Sequence, residues 1–129
     1  MSSVSDSVVE VSLRLRPAME SADLDAIAEL LAPNVTWGPP GAQSPPCQSK
    51  QQVLQWYQRG KFAGATARVT DLDVKGDKIL VGLVVLGLVH EHQGEPVVRW
   101  QVFTVAGGLI TDIVGFEEKS DALDWIEQR

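Results

Sequence analysis

Cysteine is almost missing from this sequence: Cys47 stands alone among 129 residues. A single thiol closes no intrachain disulfide and builds no thiolate zinc site, which points to a reducing or redox-indifferent setting, with the cytoplasm expected. Basic clusters are missing as well, because Lys and Arg never gather beyond pairs. With a formal charge of −6 and a pI near 4.8, the chain has no attraction for nucleic acid or an anionic membrane, and neither is expected as a partner. Long apolar runs are lacking too. The longest, Ile79 to Val89, spans eleven residues, contains Gly82 and Gly87, and is too short to cross a bilayer as a helix, so it reads as a buried strand. The opening Met1-Ser2-Ser3-Val4-Ser5-Asp6 has no basic stretch followed by an apolar one, so no secretory signal is expected.

What is present is the composition of a globular domain, 44% hydrophobic and 22% charged. Residues 1–129 fit one domain, which at this size buries roughly two-thirds of the surface its unfolded chain exposes. Val4, Val8, Val11, Leu15 and Met19 repeat at helical spacing, while Val9, Val11, Leu13 and Leu15 alternate as in a strand, and Pro17 disfavours a helix interior. Periodicity alone leaves this segment open. Ser21-Ala22-Asp23 offers N-cap side chains to a helix carrying Leu24, Ile27, Ala28, Leu30 and Leu31 and ending before Pro33. Val35-Thr36-Trp37 suits a short strand. The stretch from Gly38 to Pro46, rich in Pro and Gly, suits a loop at a pocket rim. A third helix is expected from Lys50 to Gln58, with Gly60 as its stop.

From Ala65 onward the period is two. Turns at Lys75-Gly76-Asp77-Lys78, Gln93-Gly94-Glu95-Pro96 and Ala106-Gly107-Gly108-Leu109 separate strands near 65–75, 78–92, 97–106 and 109–118. A short helix around Ser120 to Gln128 closes the chain. The expected architecture is α+β: a curved, mostly antiparallel sheet wrapped around N-terminal helices and enclosing one apolar pocket. Strand 79–89 is apolar on both faces, so each face needs a cover. Helices are expected on the concave face and a second copy of the chain on the convex face, making a homodimer.

The segments Ser21 to Trp37, Gly76-Asp77, and Phe103 to Ile113, in this order and at this length, resemble the SnoaL-like polyketide cyclase branch of the nuclear-transport-factor-2-like superfamily. The resemblance spans nearly the whole chain. It implies a cone-shaped, cystatin-like fold with a cavity between the helices and the concave sheet. It also implies an isomerase, cyclase or epoxide-hydrolase type of chemistry on a hydrophobic cyclic small molecule, with no cofactor and no metal. Ketosteroid isomerases of this superfamily carry a general-base Asp beside a substrate-polarising pair. The matching stretch here, Trp37-Gly38-Pro39-Pro40, has no acid. The Arg and two Asp of the epoxide hydrolases would fall at Leu83, Val85 and Gly115, and that triad is absent too.

Strand alternation then supplies the candidates. Ile79, Val81, Leu83, Val85 and Glu91 are expected to face the pocket, as are Arg99, Gln101 and Phe103 on the next strand and Thr111, Ile113, Gly115 and Glu117 on the last. Trp100, Val102, Asp112, His90 and His92 are expected to face outward. One β-bulge would reverse such assignments. An Arg in an apolar pocket must find an anion, which makes Arg99 a charge stabiliser facing Glu91, Glu117 or a substrate oxyanion. A salt bridge at the rim is the alternative. Gln101 would orient the ligand and Glu91 or a water would accept a proton. Trp37, Trp56 and Tyr57, with Leu83, Val85 and Phe103, would form the substrate-binding walls. His90-Glu91-His92 has the look of a metal or acid/base cluster but sits where a strand meets a turn, so a solvated role is preferred. Cys47, with no basic neighbour nearer than Lys50, has little reason to be a nucleophile. Ligand binding without turnover, or a role in association alone, stays open beside catalysis.

Overall fold

The computed structural model describes residues 4–39, 47–62, 64, 66–86 and 96–127. The ambiguous first segment is a helix, α1 (Val4–Ser21). Val8, Val11, Leu15, Ala18 and Met19 are all buried at helical spacing, whereas Val9 and Leu13, which a strand would have buried, are 43% and 72% exposed. Pro17 lies inside α1. The carbonyl that loses its partner there belongs to Leu13, which lies on the solvent side. Helix α2 (Leu24–Leu30) is capped by Asp23, whose Oδ1 accepts a hydrogen bond from the Ala26 N–H at 3.1 Å, and it buries Ile27 and Leu30.

Strand β1 (Leu31–Gly38) is longer than Val35-Thr36-Trp37 alone and contains Pro33. It lies at the sheet edge and its register with its neighbour shifts between Leu31 and Thr36, a place where a residue without an N–H is tolerated. Helix α3 (Lys50–Phe62) runs through Gly60, which does not stop it. The left-handed glycine lies beyond the helix, at Gly64 with φ 83°. Strands β2 (Thr66–Lys75), β3 (Lys78–Leu86), β4 (Val97–Ala106) and β5 (Leu109–Phe116) then form an antiparallel meander, followed by helix α4 (Lys119–Glu127). The sheet order is β1-β5-β4-β3-β2, with β1 parallel to β5. The expected continuation of β3 to residue 92, with Glu91, His90, His92 and the Gln93-Gly94 turn, lies outside the described residues.

Alternation assigns the faces of β3 and β4 as expected. Ile79, Val81, Leu83, Phe103 and Val105 pack inward against α1, α2 and α3. On β5 a bulge changes one assignment. Thr104 pairs with Asp112 but Val105 pairs with Ile110, leaving Thr111 as the extra residue. Ile110, not Thr111, therefore fills the core, and the Thr111 hydroxyl donates to the Thr104 carbonyl at 3.4 Å. A second irregularity between Val69 and Asp71 kinks the opposite edge strand β2. There α1 grips the backbone: the Val69 N–H donates to Glu20 Oε2 at 3.1 Å and Arg16 donates to the Val69 carbonyl at 3.4 Å. A bent edge held by side chains of a helix is a poor template for another strand.

The convex face has a cover that the sequence reading gave to a second copy of the chain. Leu80, Val102, Val114 and Phe116 pack with Ala122 of α4, joined by Trp100, Leu123, Trp125 and Ile126. Beyond α4, Leu86 and Val98 remain 43% and 51% exposed, beside half-buried Val84, which pairs with Val98. Among the described residues no helix is long and apolar enough to cross a membrane. Gly82 sits under the Trp100 indole, and a Cβ there would lie 2.5 Å from Trp100 Cζ3. The indole is itself held by Lys119, whose Nζ is 5.4 Å from the ring centre. Gly82→Ala must push the ring off its seat, and the expected loss is about 1–3 kcal/mol in urea unfolding. An unchanged midpoint would show that the ring moves freely.

Candidate functional site

The inner face of the sheet is filled at one end and open at the other. Phe103, paired with Ile79 and Ile113, lies at the filled end and is 1% exposed. Although it faces inward as expected, it belongs to the core and not to the cavity wall, because alternation fixes a face but not how far along the strand the helices reach. At the open end is a cavity of about 970 Å³. Its sheet wall holds Leu83, Val85, Arg99, Gln101 and Gly115, and its helical wall holds Met19, Trp56, Tyr57 and Arg59, with Trp37, Gly38, Pro39 and Cys47 at one side. The size suits a drug-sized or polycyclic molecule.

Trp37 is the pivot of the aromatic wall. Its ring centre lies 6.3 Å from that of Trp56, nearly edge to face at 74°, and 5.3 Å from that of Tyr57 at 32°. Two backbone hydrogen bonds hold it: the Trp37 N–H donates to the Cys47 carbonyl at 2.9 Å and the Cys47 N–H donates to the Trp37 carbonyl at 3.2 Å. They close the base of the Pro/Gly-rich segment, of which residues 40–46 lie outside the described residues. Next to Trp37, the Thr36 hydroxyl donates to Asp112 Oδ1 and ties β1 to β5, so that carboxylate serves the sheet and not the cavity.

The polar groups of the cavity are few. Arg99 is half-buried, and its Nη1 donates to the carbonyl of its own neighbour Val98 at 3.2 Å. Among the described residues it forms no salt bridge, not even with Glu117, which lies at the same cavity just past β5. Two residues deeper on the same face, Gln101 is 8% exposed and its Oε1 has no hydrogen-bond partner among the described residues. Glu91, the expected proton acceptor, lies outside the described residues. Burial, reinforced by the nearby Cys47, pushes the Tyr57 phenol far above its usual pKa, so it stays a neutral hydroxyl.

Gln52, Gln55 and Arg59 of α3 and Cys47 also line the cavity, and sequence reading had not placed them there. The signal for the helical three is their mutual spacing, since Gln52, Gln55 and Arg59 follow one another at three and four residues on one helical face. The positions that correspond to the epoxide-hydrolase triad, Leu83, Val85 and Gly115, do sit in the wall, and none is ionisable. A mostly apolar cavity whose sheet wall carries the Arg99 guanidinium and the Gln101 carboxamide can polarise a substrate oxygen. Its described carboxylate, Glu117, is exposed to solvent just past β5.

The SnoaL-like domain family matches residues 13–113, so the chain belongs to that family. None of the curated proteins matches it. Among solved structures it is similar to a candidate polyketide cyclase from Sinorhizobium meliloti, at 28% identity over 83% of this chain and 94% of that one, with a TM-score of 0.66. A candidate ketosteroid isomerase from Kribbella flavida shares 16% identity over 89% and 80% of the two chains, with a TM-score of 0.73. An LEH-like epoxide hydrolase from M. tuberculosis shares 14% identity over 96% and 92%, with a TM-score of 0.65. The last two show the common fold, the curved mixed sheet with its helices, and nothing finer.

Burial raises the pKa of the Cys47 thiol, and the positive charge of Arg59 partly opposes this. Alkylation by iodoacetamide, followed against pH, is therefore expected to have its midpoint above the value of about 8.5 for a free cysteine. Arg59→Ala removes the opposing charge and moves the midpoint higher still. A midpoint below that of free cysteine contradicts the enclosed position of the thiol.

Proposed function

We propose that this SnoaL-like domain is a cofactor-independent enzyme that takes a hydrophobic, ring-shaped substrate into its cavity and stabilises negative charge on a substrate oxygen with Arg99. The observation that carries this reading is a half-buried guanidinium, without a carboxylate partner among the described residues, in the wall of a mostly apolar cavity. Apolar surroundings strengthen each interaction that Arg99 makes with developing charge. In the reaction, a C–H bond next to a substrate carbonyl breaks, its proton passes to Glu91 or a water, and the electron pair moves onto the carbonyl oxygen beside Arg99. Return of a proton at another carbon completes an isomerisation. Attack of the same carbanion on a second carbonyl closes a ring. Trp37, Trp56 and Tyr57 would hold the flat faces of the substrate. Epoxide opening is the least supported of the three chemistries, because Leu83, Val85 and Gly115 offer neither an acid nor a base.

Against a panel of cyclic ketones and diketones, Arg99→Ala is expected to lower kcat/KM by roughly 10²–10³-fold, with partial recovery in Arg99→Lys. Equal rates in the wild type and Arg99→Ala would remove Arg99 from the chemistry. The apolar residues at positions 83, 85 and 115 favour a second reading, in which the ligand is bound and released unchanged. Native mass spectrometry of the purified protein separates the two, since a retained hydrophobic molecule with no turnover of the panel supports binding alone.

The convex strip of Val84, Leu86 and Val98 is proposed as the seat of a second copy, because one apolar strip complements itself across a two-fold axis. Equilibrium sedimentation is expected to give a dimer at micromolar concentration, and Val98→Lys a monomer. A wild-type monomer would refute this arrangement.

A further inference from the structure

Ser12 and Gln101 are the buried polar side chains among the described residues, and they differ in one respect. The Ser12 hydroxyl donates to the Val9 carbonyl at 2.6 Å. Gln101 Oε1 is enclosed and has no hydrogen-bond partner among the described residues. Buried hydrogen-bonding atoms are rarely left without a partner, and one that is calls for an explanation, a functional role being among them. The surroundings of Gln101 point to one. Across the sheet it pairs with Val81 on one side and Gly115 on the other. Val81 is fully buried and apolar and offers no hydrogen bond. At Gly115 an added Cβ would meet nothing within 4 Å, so the wall beside Gln101 is an unfilled hollow open to the cavity.

Resting on the reading that the cavity takes a hydrophobic ring, we propose that Gln101 is its specificity-determining residue, and that the ligand is a hydroxylated ring whose hydroxyl pairs with the Gln101 carboxamide in the hollow at Gly115. The final torsion of a glutamine side chain is soft, so the amide swings toward a ligand in the hollow without disturbing the strand. A hydroxyl is the group that fits, because it both donates and accepts. It satisfies the amide whichever of its two ends faces the cavity. A bare hydrocarbon ring would leave the amide as unpaired as it is without ligand. An ether would serve only the N–H end. A site that pairs with a substrate hydroxyl discriminates against analogues lacking it far more sharply than an apolar pocket can.

Equilibrium dialysis with 2-naphthol and 2-fluoronaphthalene tests this, because the two are nearly equal in size and only the first carries a hydroxyl. The wild type is expected to prefer 2-naphthol by at least about tenfold. In Gln101→Met, which keeps the length and unbranched shape, that preference is expected to fall to within about twofold while 2-fluoronaphthalene still binds. The ligand-free Gln101→Met protein is expected to melt no lower than the wild type, since it loses an unpaired polar atom. Gly115→Leu, which fills the hollow and leaves Gln101 in place, is expected to weaken 2-naphthol more than 2-fluoronaphthalene. A wild type that binds both probes alike, or a Gln101→Met protein that keeps the tenfold preference, overturns the role of Gln101 and leaves the hydrophobic cavity standing. Gln101→Met losing both probes equally marks Gln101 as structural and also overturns the proposal. If the wild type binds neither probe, the ring-binding reading of the cavity falls together with it.

Discussion

Strands β3 and β4 are apolar on both sides, and keeping water from both is the constraint that arranges the rest of the molecule. On the concave side the helices α1, α2 and α3 supply Val8, Leu15, Ile27 and Val53 to the core. On the convex side α4 supplies Ala122, Leu123 and Ile126. The helices fill the inner face at the Phe103 end and leave a cavity at the other. The site is thus a by-product of covering the sheet. Its walls are apolar because they are the continuation of the core, and its few polar side chains are notable for that reason.

Most of this architecture was legible in the sequence. The meander is announced by period-two alternation and by glycines that the turns need: Gly76, Gly107 and Gly108 all have positive φ. The facing of β4 follows from the same alternation, which puts Arg99 and Gln101 on the cavity side. What was not legible came from long-range packing. Whether α1 is a helix was decided by which of its residues the sheet buries. Whether Gly60 or Gly64 ends α3 depends on which takes up the left-handed conformation. The bulge at Thr111 and the depth of Phe103 depend on neighbours far away in sequence. So does the cover of the convex face, where an amphipathic C-terminal helix did not reveal which surface it would meet.

Family membership settles the container more firmly than its contents. The structures it resembles have names that span three chemistries at low identity, which shows how little the fold constrains the reaction. In this chain the positions that the resemblance marks for acids and bases are filled by Leu83, Val85, Gly115 and the Gly38-Pro39 pair. The polar character has moved to β4. A cavity with Arg99 and Gln101 on its sheet wall, and with the exposed Glu117 as its described carboxylate, is suited to holding charge on an oxygen more than to shuttling protons.

The hollow at Gly115 has a meaning beyond this one ligand. A position where a Cβ can be added without meeting another atom within 4 Å is a position where evolution can try residues without first repairing the core. An aspartate there would give the cavity an acid, a bulky aliphatic would shorten it, and neither would require the sheet to move. A fold that keeps such a vacancy in its wall changes trade by single substitutions, which is a physical reason for one container to recur with so many different occupants.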